Sequence, residues 1–268
     1  MLTDSSHKEV RALSRGLNIL VMLNRFGSST PTEISARTRL NRTTVYRLLE
    51  TLMNLGFVSR NMSDERFELM PAVRRLSEGF TDNDFLARIV APELGRLFSK
   101  VLWPTDFAIF EGGVMQIRES TQRFSPYSLD RGVVGTTRLL TRSALGRAVL
   151  AAASVEERTE MLRLLVEERH ADAAYATNAS YIETIVRQTQ AVGYASSVGE
   201  TDNRINAIAL PVRNRGKVVG AINLVFFRSA MRCDEAASQF LNEIHHSVKA
   251  IEERIGRMNL SLRDPVSR

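Results

Sequence analysis

The sequence predicts an α+β protein with two domains, a small helical domain followed by a larger domain built on an antiparallel sheet. The chain has 268 residues, which exceeds the roughly 100–200 residues of a usual single domain. Helical periodicity dominates the first part, whereas apolar strand pairs joined by short turns occur in the second part. Because these strands come as hairpins mixed with helices, we expect the sheet to be antiparallel.

The composition is that of an ordinary soluble globular protein, with 44% hydrophobic and 25% charged residues. The single cysteine, Cys233, excludes an intrachain disulfide framework and a zinc site built on several thiolates. No segment reaches the ~20 apolar residues of a membrane span, and the N-terminus lacks a signal-peptide pattern. We therefore expect a cytoplasmic protein with no membrane partner.

Positive charge is concentrated in the N-terminal part of the chain. Residues 1–80 contain 12 Lys and Arg against 8 Asp and Glu, a net charge of +4. The remaining residues contain 24 against 22, a net charge of +2. This distribution favours a polyanion partner for the N-terminal domain, although an excess of this size is also common in domains that bind nothing.

Local signals predict two helices at the start of the N-terminal domain. Apolar residues at helical spacing indicate a first helix over residues 14–26. These apolar positions include Leu17, Leu20, Val21 and Leu23. Thr30 and Glu33 have the spacing of a capping box, and Pro31 suits the first position of a helix. Together they predict a short second helix over residues 31–38.

A third helix and a short hairpin complete the N-terminal domain. Asn41 is a good cap for a helix over residues 42–54, and Gly56 is well placed to end that helix. The stretches FVSR and RFEL flank a polar turn at residues 63–65 and predict two short strands. Three helices followed by a two-stranded wing predict a winged helix-turn-helix over residues 11–70.

The exposed side of the third helix is the predicted DNA-binding site. In a winged helix-turn-helix this helix enters the major groove with its N-terminal residues towards the bases. The candidates for base contacts are Arg42, Thr43, Thr44, Tyr46 and Arg47. The candidates for phosphate contacts are Arg37, Arg39, Arg60 and Arg66. The alternative is an ordinary amphipathic helix with a solvated basic edge.

Beyond the wing, the sequence predicts a helical linker, a second domain and a tail. The linker is residues 71–101, with helices at 71–80 and 85–101, and the second domain is residues 102–260. A flexible arm is predicted at residues 1–10 and a disordered tail at residues 261–268. The predicted strands of the second domain are 106–110, 114–118, 205–213 and 217–227. Its predicted helices are 142–153, 154–168, 180–191 and 234–258.

Nothing in the sequence indicates an enzyme, a metal site or a cofactor. The motifs HExxH, GxSxG, GxGxxG and the P-loop do not occur. The four histidines are spread along the chain with no plausible Ser or Cys nucleophile near them; they are His7, His170, His245 and His246. Cys233 is an isolated thiol for which we expect no redox role.

Motifs in both parts of the chain resemble those of one family. RALSRGLNIL and EISARTRLNRTTVYRLLETLMNLGFV resemble the DNA-binding domain of the IclR family of bacterial transcription regulators. VVGTTRLLTRSALGRAVLAA at residues 133–152 is similar to the signature of that family's effector domain. GYASS and INAIALPVRNRGKVVGAINLV resemble the later part of the same domain. The resemblance implies a GAF-like domain that holds a small organic acid, and a DNA-binding homodimer or dimer of dimers.

The resemblance also implies where the effector binds. Carried over by position, the pocket residues are Ala144, Leu145, Ser197, Ala207, Asn223 and Val225. The start of the predicted helix at residues 142–153 offers free backbone N–H groups, which suit a carboxylate. Arg138 and Arg142 are candidates for a counter-charge, with a solvated surface position as the alternative. Because few of these residues are polar, we expect an apolar pocket that favours an aromatic or longer acid.

Within the family, three further stretches resemble the activators of 3-(3-hydroxyphenyl)propionate catabolism. They are RRLSEGF at residues 74–80, VLWPTD at 101–106 and RFS at 123–125. This resemblance implies an activator of an aromatic-acid catabolic operon that responds to a small aromatic acid and contacts RNA polymerase. The alternatives are a repressor that responds to another small carboxylate, and a ligand sensor that acts through protein contacts without DNA.

Overall fold

The computed structural model describes residues 10–78 and 85–261, which fall into two compact units. The first unit holds the N-terminal helices and wing, and the second holds the large sheet. Nearly all of the predicted arm and tail, and the end of the helix predicted to reach Phe80, lie outside the described residues. No helix among the described residues is both long and apolar enough to cross a membrane.

The first unit contains the predicted three helices and the wing. Its elements are α1 (Arg11–Phe26), α2 (Pro31–Thr38), α3 (Arg42–Asn54), β1 (Val58–Arg60), β2 (Phe67–Leu69), a 3-10 turn (Pro71–Arg74) and α4 (Arg75–Glu78). The predicted bounds of α2 and α3 are confirmed, and β1 pairs with β2 in antiparallel register. The helix predicted from residue 71 begins instead as a 3-10 turn followed by the short α4.

The core of the first unit lies where α1, α2 and α3 meet the wing. It includes Ile19, Leu20, Leu23, Ile34, Val45, Leu49 and Phe67. Of the apolar positions expected on α1, Leu20 and Leu23 are buried, but Leu17 and Val21 are 49% and 62% exposed. Helical spacing alone did not show which side of α1 faces the core, and the unit leaves an apolar stripe on its surface.

The second unit is built on a six-stranded antiparallel sheet in the order β5-β4-β3-β8-β7-β6. The strands are β3 (Thr105–Glu111), β4 (Val114–Ser120), β5 (Thr137–Arg138), β6 (Ala195–Val198), β7 (Ile205–Asn214) and β8 (Lys217–Phe227). The helices are α5 (Phe85–Val101), α6 (Ala144–Ala152), α7 (Val155–Glu167), α8 (Ala173–Ala176), α9 (Ala179–Val192) and α10 (Cys233–Ser261). A 3-10 turn at Gln122–Phe124 follows β4. The expected antiparallel sheet is thus confirmed, whereas β5, β6 and α8 were not predicted.

Helices cover both faces of this sheet. On one face, side chains such as Ala108, Ala207 and Val225 pack under α6, α7 and α9. On the other face, side chains such as Phe107 and Ile208 pack against α5 and α10. Successive residues of one strand therefore pack into opposite cores, because the side chains of a strand alternate between its two faces. The helix α5, expected as part of a linker, belongs to the core of the second unit.

Candidate DNA-binding and effector sites

Side-chain caps fix the start of α2 and the start of α3. Thr30 Oγ1 accepts a hydrogen bond from Glu33 N at 3.3 Å, and Thr30 N donates to Glu33 Oε2 at 2.8 Å. The predicted capping box is therefore confirmed. Asn41 Oδ1 accepts from Thr44 N at 2.8 Å, which confirms Asn41 as the cap of α3. These bonds satisfy backbone donors that a helix start leaves open.

The first turns of α3 present a polar and basic surface on the side opposite the core. Val45 and Leu49 are buried, whereas Thr43, Tyr46 and Arg47 are exposed. Within the part of the chain that the structure describes, the side chains of these three exposed residues have no hydrogen-bond or ion-pair partner. They are therefore available to an external ligand.

The remaining base-contact candidates are more constrained. The guanidinium of Arg42 donates a hydrogen bond to Thr32 Oγ1 on α2, although Arg42 itself is exposed. Thr44 is half-buried beside the cap of α3. Because Arg42 would have to leave Thr32 to reach a base edge, we expect Arg47 to be the more readily available of the two arginines.

Two of the four candidates for phosphate contacts lie at the end of α2. Arg39 ends α2 in the left-handed conformation, with φ 57°, and its side chain is exposed. The guanidinium of Arg37 lies 4.1 Å from the centre of the Phe26 ring, a cation–π contact that leaves its N–H groups able to donate. Both positions remain compatible with a phosphate contact.

The two wing arginines are already paired with acids. Arg60 forms an ion pair with Glu65 in the wing turn. Arg66 holds Glu33 with both of its terminal nitrogens, at 3.2 and 3.3 Å, and donates to Ser28 O at 2.8 Å. The hydrogen bond from Thr30 N, followed by Arg66, lowers the pKa of Glu33 and favours its charged form. These contacts show that Arg66 links the wing to α2. A DNA phosphate would therefore have to compete with Glu33 for the guanidinium of Arg66.

A small cavity in the second unit lies between the start of α6 and the sheet, with a volume of about 40 Å³. Its lining residues are Asp106, Gln122, Arg138, Ser143, Ala144, Leu145, Ser197, Thr201, Ile205, Asn206, Ala207, Asn223 and Val225. All six residues carried over from the family resemblance are among them, and so is Arg138. Arg142 is not among them, and its Nε donates to Glu200 Oε2 at 2.8 Å in an ion pair.

The start of α6 forms one wall of this cavity. Ser143 caps the helix, since its Oγ accepts from Gly146 N at 3.1 Å. The first backbone bond of the helix runs from Arg147 N to Ser143 O at 3.0 Å. The N–H groups of Ala144 and Leu145 therefore precede the intrahelical bonds and lie at the positive end of the helix dipole. This wall suits a carboxylate, as the sequence predicted.

The cavity is more polar than the sequence led us to expect. The prediction of an apolar pocket overlooked Asp106, Gln122, Ser143, Thr201 and Asn206, all of which line the cavity. Asp106 is only 1% exposed, and burial raises its pKa while the charge of Arg138 opposes the shift. An acid inside the apolar stretch TDFAIF was the one signal in the sequence that could have drawn attention to Asp106.

The described residues contain no group of three or more His, Cys, Asp or Glu side chains that could hold a metal ion. Cys233 is half-buried near the backbone oxygens of Ser197 and Ala207, and burial raises the pKa of its thiol. A raised pKa disfavours the reactive thiolate. We take the start of α3 and the cavity under α6 as the candidate binding sites.

Comparison with known proteins matches both units. Residues 12–61 match the family described as the IclR helix-turn-helix domain, and residues 83–253 match the bacterial transcriptional regulator IclR C-terminal domain. The chain is 24% identical over 257 residues to the HTH-type transcriptional regulator KdgR of Escherichia coli K12, covering 93% of this chain and 95% of KdgR. It is 27% identical over 235 residues to the Pca regulon regulatory protein of Pseudomonas putida, covering 86% and 79% of the two chains.

A solved structure shows the same fold. It is an IclR homologue of Microbacterium hydrocarbonoxydans complexed with 4-hydroxybenzoate, with a TM-score of 0.54 and 20% sequence identity. The similarity covers 91% of this chain and 98% of that one.

Neither of the two relatives above is described as a regulator of 3-(3-hydroxyphenyl)propionate catabolism, so they do not support that finer assignment. Proteins of this family are transcriptional regulators rather than enzymes, and such regulators bind operator DNA and small-molecule effectors. With a helix-turn-helix domain followed by a domain on an antiparallel sheet, the chain belongs to the IclR family of bacterial transcriptional regulators.

Proposed function

We propose that this regulator binds a near-palindromic operator as a homodimer or dimer of dimers and activates an aromatic-acid catabolic operon. The single observation that supports DNA reading best is the exposed start of α3, where Thr43, Tyr46 and Arg47 face outward without partners in the described structure. Arg can bond guanine in bidentate fashion, Thr can touch a thymine methyl, and Tyr can reach a phosphate. Activation, with contact to RNA polymerase, rests on the resemblance to the activators described above.

The exposed stripe of α1 supports self-association of the DNA-binding unit. Leu13, Leu17 and Val21 follow one another at intervals of four residues and are 62%, 49% and 62% exposed. Such a stripe costs free energy in water and is stabilised when it is covered. A second copy of the same helix is the occupant that a two-fold symmetric operator implies, because both half-sites are then read at a fixed spacing.

Leu17→Lys should weaken binding to a full operator about 10-fold or more, since a charge would enter the apolar contact between copies. Binding to a single half-site should stay unchanged. Fluorescence anisotropy with full-site and half-site DNA measures both affinities. Asn18→Lys, at an exposed neighbouring position, is the matched control for the added charge. Equal losses on both DNAs, or the same loss in the control, would count against an α1 contact.

For the effector we propose a small aromatic carboxylate, such as a hydroxyphenylpropionate, that binds under α6 with its carboxylate at the N–H groups of Ala144 and Leu145. Arg138 lines the same cavity and supplies a counter-charge. The Pca regulon relative and the 4-hydroxybenzoate complex lend support, since 4-hydroxybenzoate is an aromatic acid held by a protein of this fold. We also propose that this domain is GAF-like.

The cavity volume favours a second candidate, a smaller carboxylate. Benzene occupies an engineered cavity of roughly 150 Å³, whereas this one has about 40 Å³. An aromatic acid therefore requires the cavity to open. That opening is also what would let the acid shift the protein between two states, because a ligand that binds both states equally shifts neither.

A thermal-shift screen distinguishes the two candidates. An acid present at 100 times its dissociation constant should stabilise the protein by about 2.7 kcal/mol, or roughly 5–10 °C in melting temperature. We expect aromatic acids to do so, and we expect Arg138→Ala to abolish the shift while Arg142→Ala retains it. Stabilisation by pyruvate-sized acids alone would replace the aromatic effector with the smaller carboxylate.

A further inference from the structure

Asp106 is a buried carboxylate that faces the effector cavity. On the sheet it lies opposite Asn223 of β8, and both residues line the cavity. Ala108, two residues further along β3, packs in the core under α6. Since alternate side chains of a strand point to the same face, the carboxylate of Asp106 points towards α6 and the cavity.

The hydrogen bonds of Asp106 leave part of its accepting capacity unused. Its Oδ1 accepts from Ser120 Oγ at 2.7 Å, and its Oδ2 lies 3.4 Å from Gln122 Nε2, which is a long contact. The Asn223 amide adds a further stabilising interaction. An ionised carboxylate offers about four acceptor positions, and a protonated carboxyl group keeps part of that capacity. A hydrogen-bond donor arriving from the cavity would therefore find an acceptor.

No cation in the described part of the chain forms an ion pair with Asp106. Arg138 acts on it only at longer range, because its Nη1 donates to Thr136 Oγ1 at 3.0 Å and to Thr137 O at 2.9 Å. Burying a carboxylate without a paired cation costs stability, and such groups are concentrated at functional sites. This cost indicates that Asp106 does more than fill the core.

The groups that line the cavity suit two different kinds of ligand group. The N–H groups of Ala144 and Leu145, together with Arg138, attract an anion. Asp106 offers no attraction to an anion, but its oxygens can accept a hydrogen bond from a hydroxyl group. We propose that Asp106 determines effector specificity by accepting a hydrogen bond from a hydroxyl group, which makes the effector a hydroxylated carboxylic acid. This proposal rests on the proposed function, since it concerns the acid that binds in the same cavity.

A purely structural role for Asp106 predicts something different. Ser120 Oγ also accepts from Gln122 N at 3.0 Å, so the network could exist only to hold the 3-10 turn after β4. In that case, replacing Asp106 would lower the free energy of unfolding and would weaken the binding of every acid by the same factor. A role in specificity predicts that the preference between two matched acids changes.

Isothermal titration calorimetry of the full chain with matched acids is the test. The pairs are 3-(3-hydroxyphenyl)propionate with 3-phenylpropionate, 4-hydroxybenzoate with benzoate, and lactate with propionate, which differ only by a hydroxyl. The wild-type protein should bind the hydroxylated member of at least one pair about 10-fold more tightly or better. Asp106→Ala should reduce that ratio of affinities to about 3-fold or less. The variant should still bind the acid that lacks the hydroxyl.

Two further variants separate recognition from folding. Asp106→Asn keeps a carbonyl acceptor and should retain part of the preference. Ser120→Ala removes a donor to Asp106 from a residue outside the cavity lining, so it should keep the full preference even if it lowers the melting temperature.

The outcomes are distinguishable. Acids that bind without any hydroxyl preference, or a preference that survives Asp106→Ala, would overturn the role of Asp106 and leave the acid effector in place. If none of the acids binds the wild-type protein, the effector assignment itself is wrong and the role of Asp106 is wrong with it.

Discussion

Arg47→Ala should weaken operator binding by roughly 1–3 kcal/mol per half-site, which is about 5- to 150-fold. Arg47 is exposed on α3 and has no partner among the described residues, so its guanidinium can reach the DNA without breaking a contact in the protein. A base contact would also relax specificity at one position of the site. Anisotropy titrations on cognate and singly altered operators, repeated at several salt concentrations, measure the affinity, the specificity and the salt slope.

Arg66→Ala is the matched control, because it removes the same charge from a residue already paired with Glu33. We expect it to leave the salt slope unchanged and to lower the free energy of unfolding by about 1 kcal/mol at most, as for other partly exposed ion pairs. The opposite pattern, with a normal slope for Arg47→Ala and a reduced slope for Arg66→Ala, would move the DNA contact from α3 to the wing.

Gly146→Ala should have the second large effect, on the effector unit. A Cβ at Gly146 would lie 2.0 Å from the backbone oxygen of Leu140 and 2.6 Å from its carbonyl carbon, so backbone would have to move. We expect a loss of about 3 kcal/mol or more in the free energy of unfolding, at the upper end of overpacking costs. The fraction of the Gly146→Ala variant that still folds should bind acids poorly, because the start of α6 would shift. Denaturant unfolding and the acid titrations measure these two losses.

Gly95→Ala on α5 is the control for the same chemical change. Nothing lies within 4 Å of the position that its Cβ would take, and the residue is in a helix interior. Replacing Gly with Ala there should raise stability by roughly 0.5–1 kcal/mol. If Gly146→Ala were as harmless as Gly95→Ala, the close contact between α6 and residue 140 would be wrong.

Helix starts in the first unit were predictable because their causes are local. Asn41 caps α3 through a hydrogen bond to Thr44 N, three residues away, and the Thr30–Glu33 box has the same span. The bounds of α2 and α3 were therefore predicted correctly from residue types at fixed spacing. The buried side of α1 was not, since Leu17 satisfies the helical period as well as Leu20 does.

The cavity could be predicted only in part, because its walls meet through sheet register. The resemblance supplied Ala144 and Asn223, but Asp106 reaches Asn223 across 117 positions of sequence through the pairing of β3 with β8. The short strands β5 and β6 have too few residues for a period to show. The ion pair of Arg142 was not predictable for a similar reason, because its partner Glu200 is 58 positions away.

The central claim is that this protein binds DNA through α3 and that an acid bound under α6 changes that binding. Footprinting of the DNA around its own gene, with and without the acids that raise the melting temperature, tests both parts together. We predict salt-sensitive protection of a near-palindromic site whose extent or affinity changes when the acid is added. The absence of salt-sensitive protection, or protection that no stabilising acid alters, would contradict the account.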